Sequence, residues 1–478
     1  MHRDKPSNPL TERYASREMS RVFSPDFKFT TWRRLWIALA EAERELGLPV
    51  TEAQIAELRA HADTINYEDA ERREREVRHD VMAHVHAFGL QAPGAKGIIH
   101  LGATSAFVGD NTDLIQMREG MRIMQRRLVT LISRLRAFAW QWRATPTLAF
   151  THFQPAQLTT VGKRATLWLH DLLLDLSELE YRLDQIGLLG VKGATGTQAS
   201  FLALFDGDAD KVRRLETIVA AKMGFAHSYP VSGQTYTRKV DAQIVATLGG
   251  FGQSASKFAF DMRLLQHMRE IEEPFEESQI GSSAMAYKRN PMRAERIDSL
   301  ARHLIINTQN PAHTAATQWF ERTLDDSANR RIAIPEAFLA ADAIALLYDN
   351  IIGGIVVHEE VIAANVAREL PFIATENIMM EGVRRGGDRQ QLHERVRVHS
   401  MAAVDAIKGG ALGNDLLERI AGDPAIGLSA EDVRALARPE EFVGLSPEQV
   451  GWFLESHVDP LLAKRGYLVT DEVGEVRV

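Results

Sequence analysis

Leu114, Met117, Met121, Met124, Leu128, Leu131, Leu135, Phe138 and Trp142 alternate steps of three and four without interruption. This is the narrow apolar seam by which long helices bundle. Asp110, Asn111 and Thr112 stand just before it as cap candidates, so the spacing predicts a first long helix from about 112 to 142. Methionine stripes also line promiscuous binding grooves, but at this spacing they read as packed core. Proline is missing from 156 to 229, from 231 to 273 and from 336 to 370, which leaves room for further helices longer than the usual three turns. After a break at Thr145-Pro146, a second helix is expected from about Leu158 to Leu183 and a third from about Tyr236 to Met268, with Gly249 and Gly250 as a point of bending. A fourth is expected from Ala328 to about Ile352.

Strand-like alternation is scarce, so the expected fold class is all-α, with a central bundle over 112–364 between helical segments 1–111 and 365–478. A chain of 478 residues also exceeds what one core usually organises, in keeping with two or three domains. Beyond Leu370-Pro371 the helices shorten. One is expected to begin at Ser446-Pro447-Glu448-Gln449, with a serine cap, proline in the first turn and a capping-box partner.

Composition narrows the function classes. Hydrophobic residues make up 45% and charged residues 25%, the globular average, which argues against a disordered or fibrous chain. Cysteine is absent, which excludes disulfides, thiolate zinc sites and cysteine nucleophiles and fits a cytoplasmic location. A formal charge of −8 with no large lysine and arginine cluster argues against a nucleic-acid partner. MHRDKPSNPL lacks the apolar run of a signal peptide, and no segment has the uninterrupted apolar length of a membrane span, so neither export nor a membrane partner is expected.

Three short constellations carry candidate chemistry. Gly281-Ser282-Ser283-Ala284-Met285-Ala286-Tyr287-Lys288-Arg289-Asn290-Pro291 lies between long helices as a loop. Amides after its glycine can hold an anion, Lys288 and Arg289 add charge, and Ser282 or Ser283 offers a hydroxyl that becomes a base if donors stabilise its alkoxide. A polar surface connection accounts for these residues equally well. Thr151-His152-Phe153-Gln154 places a histidine, the side chain best suited to proton transfer near neutral pH, in a turn where histidines are more often structural. Arg78-His79-Asp80 closes the charged run 71–76, itself a solvated helix surface. A metal on His79, His84 and His86 is rejected, because His84 leaves the helical face the other two share.

The loop GSSAMAYKRNP resembles the signature loop of the fumarase and aspartase superfamily, whose members release fumarate by elimination. Its YKRNP half is similar to the adenylosuccinate lyase branch. The resemblance extends through RHDVMAHVHAFG, HLGATS, THFQPAQLTTVGKR, GQTYTRKVD and QWFERTLDDSANRR. It implies Ser282 as catalytic base, His152 as the acid that protonates the departing nitrogen, and Thr151 as a substrate contact. It likewise implies that Arg78, His79 and Asp80 bind substrate, together with Arg13, Tyr14, Thr104, Ser105, Gln234, Lys288, Asn290, Arg296, Arg322, Ser327 and Arg331. Forked guanidinium donors suit a ligand with a phosphate and two carboxylates. Ala286 stands where the family pattern usually has proline, which frees φ there without removing a polar group.

The activity implied is β-elimination of fumarate from a succinylated purine nucleotide, with no metal or cofactor, in a homotetramer whose active sites draw on three subunits. Argininosuccinate lyase, fumarase and aspartase share this chemistry and are the nearest rivals, with YKRNP and TLDDSANRR counting against them. A non-catalytic structural protein on the same scaffold is the rival from another class, and joint retention of His79, His152, Ser282 and Lys288 counts against it.

Overall fold

A computed structural model of the chain describes residues 7–276 and 279–464. The opening MHRDKP and the last fourteen residues lie outside them. The described residues are overwhelmingly helical, with only two small two-stranded sheets. Helices Ser105–Gln141, Val161–Gln185, Lys239–His267, Met292–Asn307 and Asp325–Gly354 pack along one another as a bundle. The predicted seam is its core: Leu114, Met117, Met121, Met124, Leu128, Leu131 and Leu135 are all at most 1% exposed. Burying such a side chain contributes about 1.5–3 kcal/mol, so this one face helps to anchor the fold.

The first helix begins earlier than its polar residues predict. Thr104 is the residue that precedes it, and Asp110, Asn111 and Thr112 are buried inside. Asp110 and Asn111 tolerate the helix interior because partners there replace the cap: the Asn111 side-chain amide donates to the Phe107 and Gly190 carbonyls, and Asp110 accepts from Arg238, whereas the buried Thr112 hydroxyl has no partner among the described residues. Likewise Leu158 is not helical. Residues Pro146–Thr151 and Gln154–Thr160 form a β-hairpin, and Thr160 caps the second helix by accepting from the Lys163 amide at 3.1 Å. The third helix runs unbroken through Gly249 and Gly250, and Gly249 is where Thr308 packs so closely that a Cβ would sit 2.5 Å from its methyl. The fourth carries Pro335 inside it, and Pro371 lies within the next helix, Glu359–Ile373. Packing on neighbouring helices holds both despite the lost hydrogen bond.

The helix Met292–Asn307 was not predicted, since its buried apolar stripe of Ala294, Ile297, Leu300, Ala301 and Leu304 is short and includes two alanines. Further on, Ile378, Leu392, Val396, Leu416, Ile420 and Val433 form a separate apolar cluster. The chain then returns to the main core through Val450, Leu454 and Val458. The helix Ser446–Phe453 begins without the expected cap: Leu445 precedes it, and the hydroxyl of the largely buried Ser446 lies 3.5 Å from that of Thr159 instead.

On the inner face of helix Pro25–Glu45, Glu43 is fully buried with no partner for either carboxylate oxygen. Burial pushes its carboxyl from about 4.5 up to about 8. Between those values the folded chain keeps a proton that the unfolded chain releases, so stability falls as pH rises, by up to about 1.4 kcal/mol per unit. Glu43→Gln is expected to flatten that slope in urea titrations across the window. An unchanged slope would place the proton elsewhere.

Candidate active site

Helices Ser105–Gln141, Lys239–His267 and Asp325–Gly354 start at the same end of the bundle, where they bound a cavity of about 640 Å³. Its floor is a buried ionic network. The Arg238 guanidinium donates to both oxygens of Asp110, at 3.0 and 3.2 Å, and to Asp326 at 2.7 Å. Beside it Arg330 donates to Asp241 at 2.6 Å, pairs with Asp113 at 2.8 Å and donates to the Tyr236 hydroxyl, which itself donates to Asp241 at 2.6 Å. Burial pushes the Tyr236 phenol far up, with Arg330 opposing, and pushes the Asp113 carboxyl up against the pull of Arg330. These ties fix the starts of three helices relative to one another. Arg238→Met is expected to cost about 3–5 kcal/mol in denaturant titration, because it strands two buried carboxylates.

Seven of the predicted residues line this cavity: Arg78, His79, Asp80, Ser105, Arg322, Ser327 and Arg331. Helix Tyr67–Val77 ends on Arg78 in the left-handed region, φ 55°, and the chain then turns into helix Asp80–Gln91. His79 caps that helix, its Nδ1 accepting from the Met82 amide at 3.4 Å. This leaves Nε2 to carry the proton and serve as a donor. Asp80 accepts from Arg331 at 3.3 Å, and Arg322 lies 3.5 Å from Asp326. Thr104 directly precedes Ser105, and its side chain makes no cap bond. Gln234 is half-buried just before the third helix, tied to this end by its backbone N–H donating to the Glu321 carbonyl at 3.0 Å.

The remaining predicted residues lie at the other end. Between helices Lys239–His267 and Met292–Asn307, the loop 279–290 is pinned by the Asn290 amide donating to the Gly281 carbonyl at 2.8 Å. Gly281 also sits where a Cβ would lie 2.3 Å from the Lys288 carbonyl. The Ser282 oxygen accepts from the amides of Ala284 and Met285 at 3.3 and 3.1 Å. Two N–H dipoles aimed at one hydroxyl oxygen favour its alkoxide. Thr151 and His152 occupy the tip of the hairpin, exposed, with His152 and Phe153 at φ 55° and 56°. Near the start of helix Met292–Asn307, the Arg296 guanidinium lies 5.7 Å from the ring of Tyr14, and exposed Arg13 belongs to the same turn, Leu10–Tyr14.

One chain therefore holds its candidate residues in two groups. The third helix, 29 residues long, separates them by about 43 Å. Sequence reading missed the residues that organise the first group, Arg238, Arg330, Asp113, Tyr236 and Asp241, although GQTYTRKVD and TLDDSANRR contain four of them. Among the described residues no group of three histidines or carboxylates is placed to hold a metal. His84, one of the rejected ligands, is buried and stacked on Phe29 at 3.8 Å, and burial lowers it to about 4.

A family model described as Lyase matches residues 19–305, and one described as Adenylosuccinate lyase C-terminus matches residues 371–453. The adenylosuccinate lyase of Saccharomyces cerevisiae is 52% identical over 480 residues, covering 99% of both chains. That of Schizosaccharomyces pombe is 49% identical, covering 99% of this chain and 98% of the relative. Among solved structures, 3-carboxy-cis,cis-muconate lactonizing enzyme from Pseudomonas putida superposes with a TM-score of 0.82 at 21% identity, over 94% of this chain and 99% of that one. Fumarate lyase from Mesorhizobium sp. BNC1 gives 0.79 at 24%, over 94% and 100%. These two likenesses show the fold, and the full-length relatives show the family: the chain belongs to the adenylosuccinate lyases of the fumarase and aspartase superfamily.

Proposed function

We propose that this lyase removes fumarate from adenylosuccinate to leave AMP, and from succinylaminoimidazole carboxamide ribotide to leave aminoimidazole carboxamide ribotide, in purine nucleotide biosynthesis. The observation that carries the substrate assignment is the full-length identity of about half to relatives named adenylosuccinate lyase. In the reaction Ser282 takes the proton from the carbon beside a carboxylate of the succinyl arm. Negative charge develops on that carboxylate and is met by Lys288 and Asn290. The Ala284 and Met285 amides are engaged with the serine, so their part is to lower the cost of its alkoxide. His152 protonates the nitrogen as its bond to carbon breaks.

The other residues hold the substrate: Arg78, His79, Asp80, Thr104, Ser105, Gln234, Arg322, Ser327 and Arg331 from one end, and Arg13, Tyr14, Thr151 and Arg296 from the other. A ligand the size of a nucleotide cannot bridge about 43 Å, so the two groups meet between chains. Supporting a homotetramer, Leu167, Leu174 and Tyr181 recur every seven residues on helix Val161–Gln185 and are 50%, 59% and 53% exposed. Phe260 and Leu264 extend the apolar face on the neighbouring helix. Such a stripe is what a self-associating bundle buries. A cysteine-free chain that acts on small nucleotides fits the cytoplasm, with no nucleic-acid or membrane partner.

The test is absorbance change on purified protein given adenylosuccinate, argininosuccinate, malate and aspartate in parallel. Turnover of adenylosuccinate alone is expected. Turnover of another of the four in its place would reassign the substrate, and none at all would favour a structural role. With charge handled by lysine, arginine and amides, a chelator is expected to leave the rate unchanged, and a rate that collapsed and returned with added metal would contradict this.

A further inference from the structure

Lys28 stands on helix Pro25–Glu45 and lines the same cavity as Arg322, Ser327 and Arg331. Its ammonium lies 5.1 Å from the Trp32 ring centroid and 5.4 Å from that of Phe29, and it makes no hydrogen bond or ion pair among the described residues. The aromatic pair is itself fixed, Phe29 stacking on His84 at 3.8 Å and meeting Trp32 edge-on at 5.0 Å. Of the nearby carboxylates, Asp113 is engaged with Arg330 at 2.8 Å and Asp80 with Arg331 at 3.3 Å, while Glu74 lines the cavity without a close contact to Lys28. Burial lowers the Lys28 ammonium, and the charge of Arg331 adds to that despite Asp113, Asp80 and Glu74. Lys28 thus faces the cavity beside a second cation and without a direct anionic partner of its own.

We propose that Lys28 is a further substrate-binding residue, which grips the phosphate of the nucleotide together with Arg331, Arg322 and Ser327 of the same cavity. This rests on the nucleotide reading of the cavity. A doubly charged phosphate relieves the Lys28 and Arg331 repulsion more than a single carboxylate does, and a compact ammonium suits it as a point charge. The rings of Phe29 and Trp32 hold the lysine ammonium in place before the ligand arrives, which limits the side-chain entropy lost on binding.

Calorimetry with AMP, inorganic phosphate and fumarate on wild type, Lys28→Met and Lys28→Arg tests this without turnover. Lys28→Met keeps an unbranched side chain of similar length and removes the charge. It is expected to weaken AMP and inorganic phosphate roughly 10- to 100-fold, the range for a lost hydrogen bond to a charged group. Fumarate should bind as in wild type, and Lys28→Arg should recover most of the loss. AMP affinity within about threefold of wild type in Lys28→Met would overturn the assignment and leave Lys28 as packing. Fumarate weakened as much as AMP would overturn it too, moving Lys28 to the carboxylates. Lys28→Gln serves the same comparison if the methionine variant fails to fold. Should wild type leave adenylosuccinate uncleaved, the substrate reading fails, whereas the inorganic phosphate comparison still decides the role of Lys28.

Discussion

Ser282→Ala and His152→Gln are each expected to lower kcat by at least about a hundredfold, the scale for removing one general base or acid. Melting temperature and AMP affinity should stay close to wild type. The reason lies in how the two residues are held. Ser282 is half-buried and His152 exposed, so neither change opens a cavity in the core. The serine oxygen is the acceptor of two amides, and alanine removes the group those amides serve. His152 sits in a two-residue turn in which both residues are left-handed, a conformation that costs on the order of 1 kcal/mol per residue. The hairpin ladder and the Phe150 and Phe153 rings, 5.8 Å apart, brace that turn and present the imidazole at its tip. Glutamine keeps a polar side chain of similar reach there without a proton to exchange near neutral pH. If kcat falls with KM unchanged, the lost interaction belongs to the transition state. Near-normal turnover in either variant would remove that residue from the mechanism.

How far the sequence alone reveals this arrangement depends on whether a residue's role is local. The seam from Leu114 to Phe138 was legible because helix packing repeats every three to four residues and each repeat reinforces the last. The start of that helix was not. Asp110, Asn111 and Thr112 look like caps in one dimension, and only contacts with Arg238 and Gly190, more than seventy residues away, make the burial of Asp110 and Asn111 tolerable. The hairpin at 146–160 was hidden for a related reason: its six- and seven-residue strands carry little apolar alternation, with Leu148, Leu158 and Thr160 buried and most of the rest exposed or intermediate. Ser446 shows the opposite error, a local cap signal overridden by tertiary placement.

The candidate site divides in the same way. Arg78, His79, Ser282 and Lys288 stand in short motifs, so similarity to a family names them without any knowledge of distance. Arg238 and Arg330 belong to the same motifs yet act through Asp110, Asp113, Asp241 and Asp326, partners that no spacing along the chain announces. Lys28 lies outside every motif, and its place is visible only because helix Pro25–Glu45 folds against the cavity wall. The separation of the site residues into two groups could be anticipated from helix length. Which residues share an end required the network that ties three helix starts together.

That separation makes the shared site the claim most open to contradiction. Gln234 precedes the third helix and Ser282 follows it, about 43 Å away along the same chain. Gln234→Met and Ser282→Ala, each inactive alone, are to be mixed in equal amounts under conditions that exchange subunits, with exchange confirmed by mass. If each site takes Gln234 from one chain and Ser282 from another, random reassembly leaves roughly a quarter of sites with both native groups, and activity returns to about that fraction of wild type. Exchanged mixtures that stay inactive would contradict the account, and would mean that both residues serve one site from a single chain.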